Sequence, residues 1–555
     1  MNKVLSILCF YGLMFSEEYK LKDLNQKSLD ISKNTICGTW QITDLIRGEK
    51  TQSIRVLDTT ALGLSNNHNN INLVLPSAYD DSLETNHFRF YFTLGQESTH
   101  AIDSLEYVIA MSGIFEQVWS FFIDTLHFSP PPGIDYPNNK YNIYIENINP
   151  NYFGLTYSIN DGPDDPGCGS YIKMRNSYSG PAFSENTEVE NIKVTAVHEF
   201  FHAIQFGYNC WEDFWFMEAT AVWSEDELYN NINDLYRYLP QWFSNPNTSI
   251  ETEGYYMYGT FILFQYIDEH LGGPETIRNS WQYSNQLAIE NDGVSIQAID
   301  KALKNMNSSF NETYHRMRIA NRILSSNKNA GIYTYDQAEE YLDSAEVAYP
   351  PPQNNIIFTE GNHEIVSSSL LDGYETFYYS LHLPSRAGHL ITPVKIKFSP
   401  EIGDFMFSTI IQLDSIEWTV RSENELIIDP IIEYDWISFV VSAIGTETDN
   451  WDFSLIIQDG NITDFTIYNP YPNPFNNQGI HFDLQVIKNQ DFDIQIVDIL
   501  GKKLWQKSYS ITDPQYINFS WDGKNNQGNM VANGVYFILI KGKDHTKVKK
   551  FTLLK

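Results

Sequence analysis

Residues 194–208 read VTAVHEFFHAIQFGY, and residues 215–226 read WFMEATAVWSED. In the first stretch His198 and His202 stand four apart, so on an α-helix both side chains lie on one face. Two imidazoles at that spacing can hold one tetrahedral Zn²⁺ at about 2.0–2.1 Å. Glu199 sits beside the first histidine, where it can reach a water at the metal without being a ligand itself. The remaining positions are apolar: Val194, Val197, Phe200, Phe201 and Ile204. Burying two histidines and a glutamate among such neighbours costs free energy unless a metal or hydrogen bonds satisfy them. H-E-x-x-H also arises by chance as a helix with hydrogen-bonded histidines, so the decision falls on a third ligand.

The second stretch offers one. Glu218 lies among Phe216, Met217, Ala219, Ala221 and Val222. A carboxylate on so apolar a helix needs a partner, and a cation is the natural one. Two His and one Glu with an open fourth position form the ligand set of a catalytic zinc. Glu212 is the rival ligand, expected in the turn between the two helices. Glu225, two turns beyond Glu218, is either a residue that orients a ligand histidine or part of a solvated helix end.

HEFFHAIQFGY followed by WFMEATAVWSED resembles the gluzincin branch of the zincin metallopeptidases, and within it a family of bacterial secreted metalloproteases. The resemblance extends upstream to FRFYFT (88–93), to VWSFFIDTLHFSPPP (118–132) and to YNIYIE (141–146), so it covers roughly residues 37–280. It implies that His198, His202 and Glu218 hold Zn²⁺, that Glu199 is the general base, and that the substrate is a protein or peptide. Residues 254–273, GYYMYGTFILFQYIDEHLGG, are similar to the Tyr-x-x-Gly segment of zinc aminopeptidases, where a Tyr hydroxyl stabilises the oxyanion. Tyr256 and Tyr258 are the two candidates, against the plainer reading of aromatic core. The sequence departs from the family pattern at Val222, where an acidic residue is common. It also has QESTHAIDS (96–104) in place of an Asp- and Asn-rich segment.

Around this centre, 555 residues suggest three or four domains. The expected architecture is multidomain, an α+β zincin-like catalytic domain followed by all-β sandwich domains. Residues 1–16, with Lys3 before an apolar run, read as a secretory signal, and 17–85 as an N-terminal extension or pro-region. The catalytic domain is placed at 86–345. It has strands at 87–92, 141–146 and 170–174 and helices at 102–126, 194–206, 214–229 and 259–271. The strand at 171–174 is expected to be the edge that pairs with an extended peptide. Alternating runs such as VKIKF and WISFVVSAI mark a β-sandwich over 346–460. A last β module occupies 466–555. It resembles the type A sorting domain of the type IX secretion system through Pro472, Asn473, Pro474, Phe475, Trp521, Asp522, Gly523, Gly534 and Tyr536. That resemblance implies export through the periplasm to the cell surface or the medium, with the type IX machinery as a partner.

Lys plus Arg number 36 against 70 Asp plus Glu, a formal net charge of −34. A field of that sign repels nucleic acid and anionic membranes, and carboxylate-rich loops suit structural Ca²⁺. No apolar run after the N-terminus is long enough to span a membrane. Beyond Cys9 in the signal, three cysteines remain. Cys37, in TICGTW (35–40), is expected to pair with Cys168 or Cys210, as suits an exported protein. The less favoured alternative lays Cys37 over the metal as a thiolate ligand and keeps the enzyme latent. The rival to an enzyme is a catalytically inactive zincin-like cell-surface adhesin or carbohydrate-binding protein.

Overall fold

The computed structural model describes Cys37, Thr39 and Trp40 and then residues 79–554, apart from short internal stretches of which 384–392 is the longest. The expected signal at 1–16 and most of the extension at 17–85 lie outside the described residues. Two compact units divide between Pro351 and Pro352.

The N-terminal unit is α+β. Its sheet has the order β1-β2-β3-β5-β4, built from β1 (Asp81–Glu84), β2 (Phe88–Phe92), β3 (Tyr141–Glu146), β4 (Gly154–Ile159) and β5 (Gly169–Arg175). The central strands β2, β3 and β5 run parallel, and β1 and β4 pair antiparallel at the two edges. β2 (FRFYF) and β3 (YNIYIE) are apolar almost throughout, as strands covered on both faces must be. The strand expected at the edge is β5, inside the sheet between β3 and β4. Among the described residues the strand at that edge of the sheet is β4, too polar in its second half to stand out by hydrophobic pattern, with β1 at the opposite edge.

The helix expected over 102–126 is α1 (Leu105–Trp119), continued by a π-helical turn at Ser120–Thr125. α2 (Glu188–Tyr208) starts earlier than its apolar pattern suggests because Thr187 and Glu190 form a capping box. The Glu190 N–H donates to Thr187 Oγ1 at 3.3 Å, and the Thr187 N–H donates to the Glu190 carboxylate at 2.8 Å. Phe200 and Phe201 anchor α2 on two sides. Phe200 meets Phe88 at 5.5 Å between ring centroids, and Phe201 meets Phe122 at 5.4 Å. Such aromatic pairs add about 0.5–1.5 kcal/mol each beyond area burial. They fix the rotation of the helix that carries His198, Glu199 and His202.

α3 (Phe214–Tyr229) is buried on nearly every side, in keeping with its apolar sequence. Short helices α4 (Leu239–Ser244) and α5 (Tyr255–Gly259) lead into α6 (Phe261–His270). Then come α7 (Pro274–Leu287), α8 (Ser295–Lys304), α9 (Phe310–Ile323) and α10 (Ala338–Ser344). Cys168, just before β5, is bonded to Cys210, just past the end of α2. The expected Cys37 disulfide is therefore overturned: Cys37 is a free, buried thiol, and its place is described below.

The C-terminal unit is all β. Sheets drawn from strands between Asn354 and Asp459 enclose a core that includes Phe398, Phe439 and Phe453. A second, smaller pair of sheets runs from Phe465 to Leu553 around Phe475, Phe482, Trp521 and Phe551. Among the described residues no helix is long and apolar enough to cross a membrane.

Candidate metal centre

One turn of α2 brings the Nε2 atoms of His198 and His202 to 3.1 Å from each other. α3 crosses α2 and delivers Glu218, whose Oε2 lies 3.2 Å from His198 Nε2 and 3.6 Å from His202 Nε2. Each ring is held from behind. His198 Nδ1 is 2.7 Å from Glu225 Oε1, one of the two alternatives for that residue. His202 Nδ1 is 2.7 Å from Gln205 Oε1.

The second contact settles a tautomer. Gln205 Nε2 donates to the Met217 carbonyl at 2.8 Å and to Thr220 Oγ1 at 2.9 Å, so its Oε1 faces the imidazole. His202 Nδ1 must then donate, which leaves the lone pair on Nε2. The Glu225 carboxylate imposes the same tautomer on His198. Two imidazole lone pairs thus face each other across 3.1 Å, beside a carboxylate whose Oε1 is buried and has no hydrogen-bond partner among the described residues.

Such an arrangement calls for a positive charge at its centre. Ligands 2.0–2.1 Å from a tetrahedral metal lie about 3.3 Å from one another, which the observed separations fit. The donor set, two imidazoles and a carboxylate, suits Zn²⁺.

Glu199 stands next to this cluster but does not join it. Its Oε2 accepts from Thr156 Oγ1 of β4 at 2.6 Å and from Thr39 Oγ1 at 3.0 Å. β4 comes this close because Gly154 has no side chain: a Cβ there would lie 2.7 Å from Glu199 Cγ. Cys37 Sγ is 3.3 Å from Glu199 Oε1 and 3.6 Å from His202 Nε2. The ligand atoms of Cys37, His198, His202 and Glu218 all lie within 4.8 Å of one another, and all four residues are buried.

The two tyrosine candidates separate. Tyr258 is buried beside the cluster and donates its hydroxyl to the Cys37 carbonyl at 3.1 Å. Burial holds this phenol well above its usual range, so it stays a donor. Tyr256 is placed elsewhere. Its hydroxyl donates toward the Asn245 and Thr248 carbonyls at 3.2 and 3.4 Å and accepts from Arg318, as a core tyrosine does. Glu212 is also away from the cluster, tied to Ser284 and to the backbone N–H groups of Asp213 and Val294. Sequence reasoning missed Gln205, Thr156, Thr39 and Gly154. Only Gln205 left a signal, a polar residue one turn after His202 on a buried helix face.

Residues 469–553 match the family described as the secretion system C-terminal sorting domain. No curated protein matches the chain in sequence. Among solved structures, the chain is similar to PorZ, a bacterial surface component of the type-IX secretion system of Porphyromonas gingivalis. The identity is 20% over 18% of this chain and 14% of that one, with a TM-score of 0.13. It is also similar to dimeric latent PorU of Porphyromonas gingivalis (12% identity, 35% of this chain and 20% of that one, TM-score 0.15). A third is the β-glucuronidase of Parabacteroides merdae (8% identity, 36% and 28%, TM-score 0.16). The chain spans less than a third of the length of each, and TM-scores this low bear on neither fold nor activity. The family match is specific to the last β module: it is a type IX sorting domain, and the protein is exported through that system to the cell surface or the extracellular space.

Proposed function

We propose that the N-terminal unit is a zincin-like, zinc-dependent peptidase that hydrolyses protein or peptide substrates outside the cell. The observation that carries this reading is the pair of imidazole lone pairs converging with an unpartnered Glu218 oxygen, beside a buried carboxylate, Glu199, that is not a ligand. His198, His202 and Glu218 would hold the metal, and Glu225 and Gln205 fix the two rings. Zn²⁺ held there would supply Lewis-acid chemistry for the hydrolysis of a peptide bond.

Glu199 takes the proton of the attacking water and passes it to the leaving amine. Thr156 binds Oε2 of that carboxylate and leaves Oε1 turned toward the ligand atoms. Tyr258 donates to the oxyanion that develops on the carbonyl, without bringing a full charge into the site. The β4 edge gives an extended peptide a strand to pair with. An inactive surface adhesin has no use for a buried base beside the ligands.

The test uses a chain with Cys37→Ala and Thr39→Ala, because both side chains lie on the ligand atoms or on the base. That chain should bind one zinc and hydrolyse casein. Adding Glu199→Gln should keep the zinc and abolish hydrolysis, and adding His202→Ala should lose both. Full hydrolysis with Glu199→Gln would sink the mechanism.

A further inference from the structure

Cys37, Thr39 and the Cys37 carbonyl each occupy a different working part of the centre. Cys37 Sγ lies within 4.8 Å of the candidate ligand atoms of His198, His202 and Glu218, all of them buried. The unpartnered Glu218 Oε1, on a side chain with no exposure, marks the same cluster independently as a place built for a cation. Thr39 Oγ1 donates to Glu199 Oε2 at 3.0 Å, so it sits on the base. The same hydroxyl accepts the Thr156 N–H at 2.8 Å, which takes up a donor on the β4 edge. The Cys37 carbonyl accepts from Tyr258 at 3.1 Å, where a scissile carbonyl would. The Thr39 N–H donates to Cys37 Sγ at 3.3 Å and turns the sulfur toward the cluster.

We infer that the segment bearing Cys37 and Thr39 is a built-in inhibitor that keeps the peptidase latent: the Cys37 thiolate closes the metal's fourth position, and Thr39 occupies Glu199 and the β4 edge. This rests on the zinc-peptidase reading and deepens it. Binding forms a sulfur–metal bond and releases the thiol proton to solvent, since a coordinated thiol is deprotonated. No oxidant is involved. A thiolate is a stronger zinc ligand than water, so a four-ligand centre has no room for the attacking water until the segment leaves. Cys37 is 5% exposed, which shields it from reagents while it is docked.

Three zinc-loaded proteins decide the matter: wild type, Cys37→Ala, and Cys37→Ala/Thr39→Ala. Peptide hydrolysis should rise at least ten-fold from wild type to the double variant, at unchanged zinc content. Cobalt(II) in place of zinc gives a readout independent of activity. The wild type should show a thiolate-to-cobalt charge-transfer band that both variants lack. A synthetic peptide with the sequence of residues 35–40 should inhibit the double variant, and its Cys37→Ser version should not.

Latency is overturned if wild type and variants hydrolyse peptide equally fast, or if the wild-type cobalt protein has no thiolate band. Loss of zinc from Cys37→Ala would make Cys37 a permanent structural ligand and also overturn it. Failure of the peptidase reading looks different: the double variant keeps its zinc and hydrolyses nothing, and the latency falls with it.

Discussion

Gly154→Ala probes the contact that places Glu199, the proposed base. A Cβ built on Gly154 would lie 2.7 Å from Glu199 Cγ, 2.7 Å from Thr195 Cγ2 and 3.0 Å from Glu199 Oε1. Carbon atoms in ordinary contact keep about 3.5–4.0 Å, so β4 and α2 must part by about 1 Å, or Glu199 must turn away. Overpacking of this kind costs about 1–3 kcal/mol of stability. The larger effect falls on the proton transfer. A misplacement of about 1 Å costs on the order of 100-fold in rate, or about 2.7 kcal/mol of barrier. The nearest atoms belong to Glu199 and Thr195, and none to His198, His202 or Glu218, so zinc should stay bound. The assay is kcat/KM for a peptide in the Cys37→Ala/Thr39→Ala chain, with zinc measured on the same samples. The expected result is a fall of about 100-fold at full zinc occupancy. A kcat/KM within three-fold of the parent would refute the reasoning, because Glu199 would not then depend on the close approach of β4.

Two further outcomes follow from the same geometry. Tyr258→Phe should lower kcat by about 10²–10³-fold with zinc retained, whereas Tyr256→Phe should leave kcat alone and cost about 1 kcal/mol in denaturant unfolding. Asp226 is raised to about 7 by burial and then by Asp268 and Glu269, Glu227 to about 8 by burial and then by Asp268 and Asp226, and Glu269 to about 7 by burial and then by Asp336. Their unfolded values are about 4, so between about pH 4 and pH 8 the folded chain holds protons that the unfolded chain has released, and stability falls as pH rises. The melting temperature should be higher at pH 5.5 than at pH 8, and Glu227→Gln should raise it at pH 8 and narrow the difference. An unchanged pH dependence in Glu227→Gln would show that Glu227 is not held protonated.

What could be read in the sequence was local. The four-residue spacing of His198 and His202 dictates a shared helix face, because a helix repeats every 3.6 residues whatever surrounds it, and Glu218 stands out as the one carboxylate in the apolar stretch 214–223. The helix over 214–229, the strand over 141–146 and the alternating runs of the C-terminal sheets follow from the same periodicities, and the sorting module from its Pro, Trp and Gly pattern. The tertiary structure decided the pairings across long stretches of chain. Cys37 meets Glu199 across 162 residues and Tyr258 across 221, and Thr156 reaches Glu199 from a strand 43 residues earlier. No pattern in the chain records which of two neighbouring tyrosines points inward, which strand is left at the sheet's edge, or which cysteine has no disulfide partner. Those answers depend on how α2, α3 and β4 pack, and packing is set by side chains that are distant in sequence and adjacent only once the core has formed.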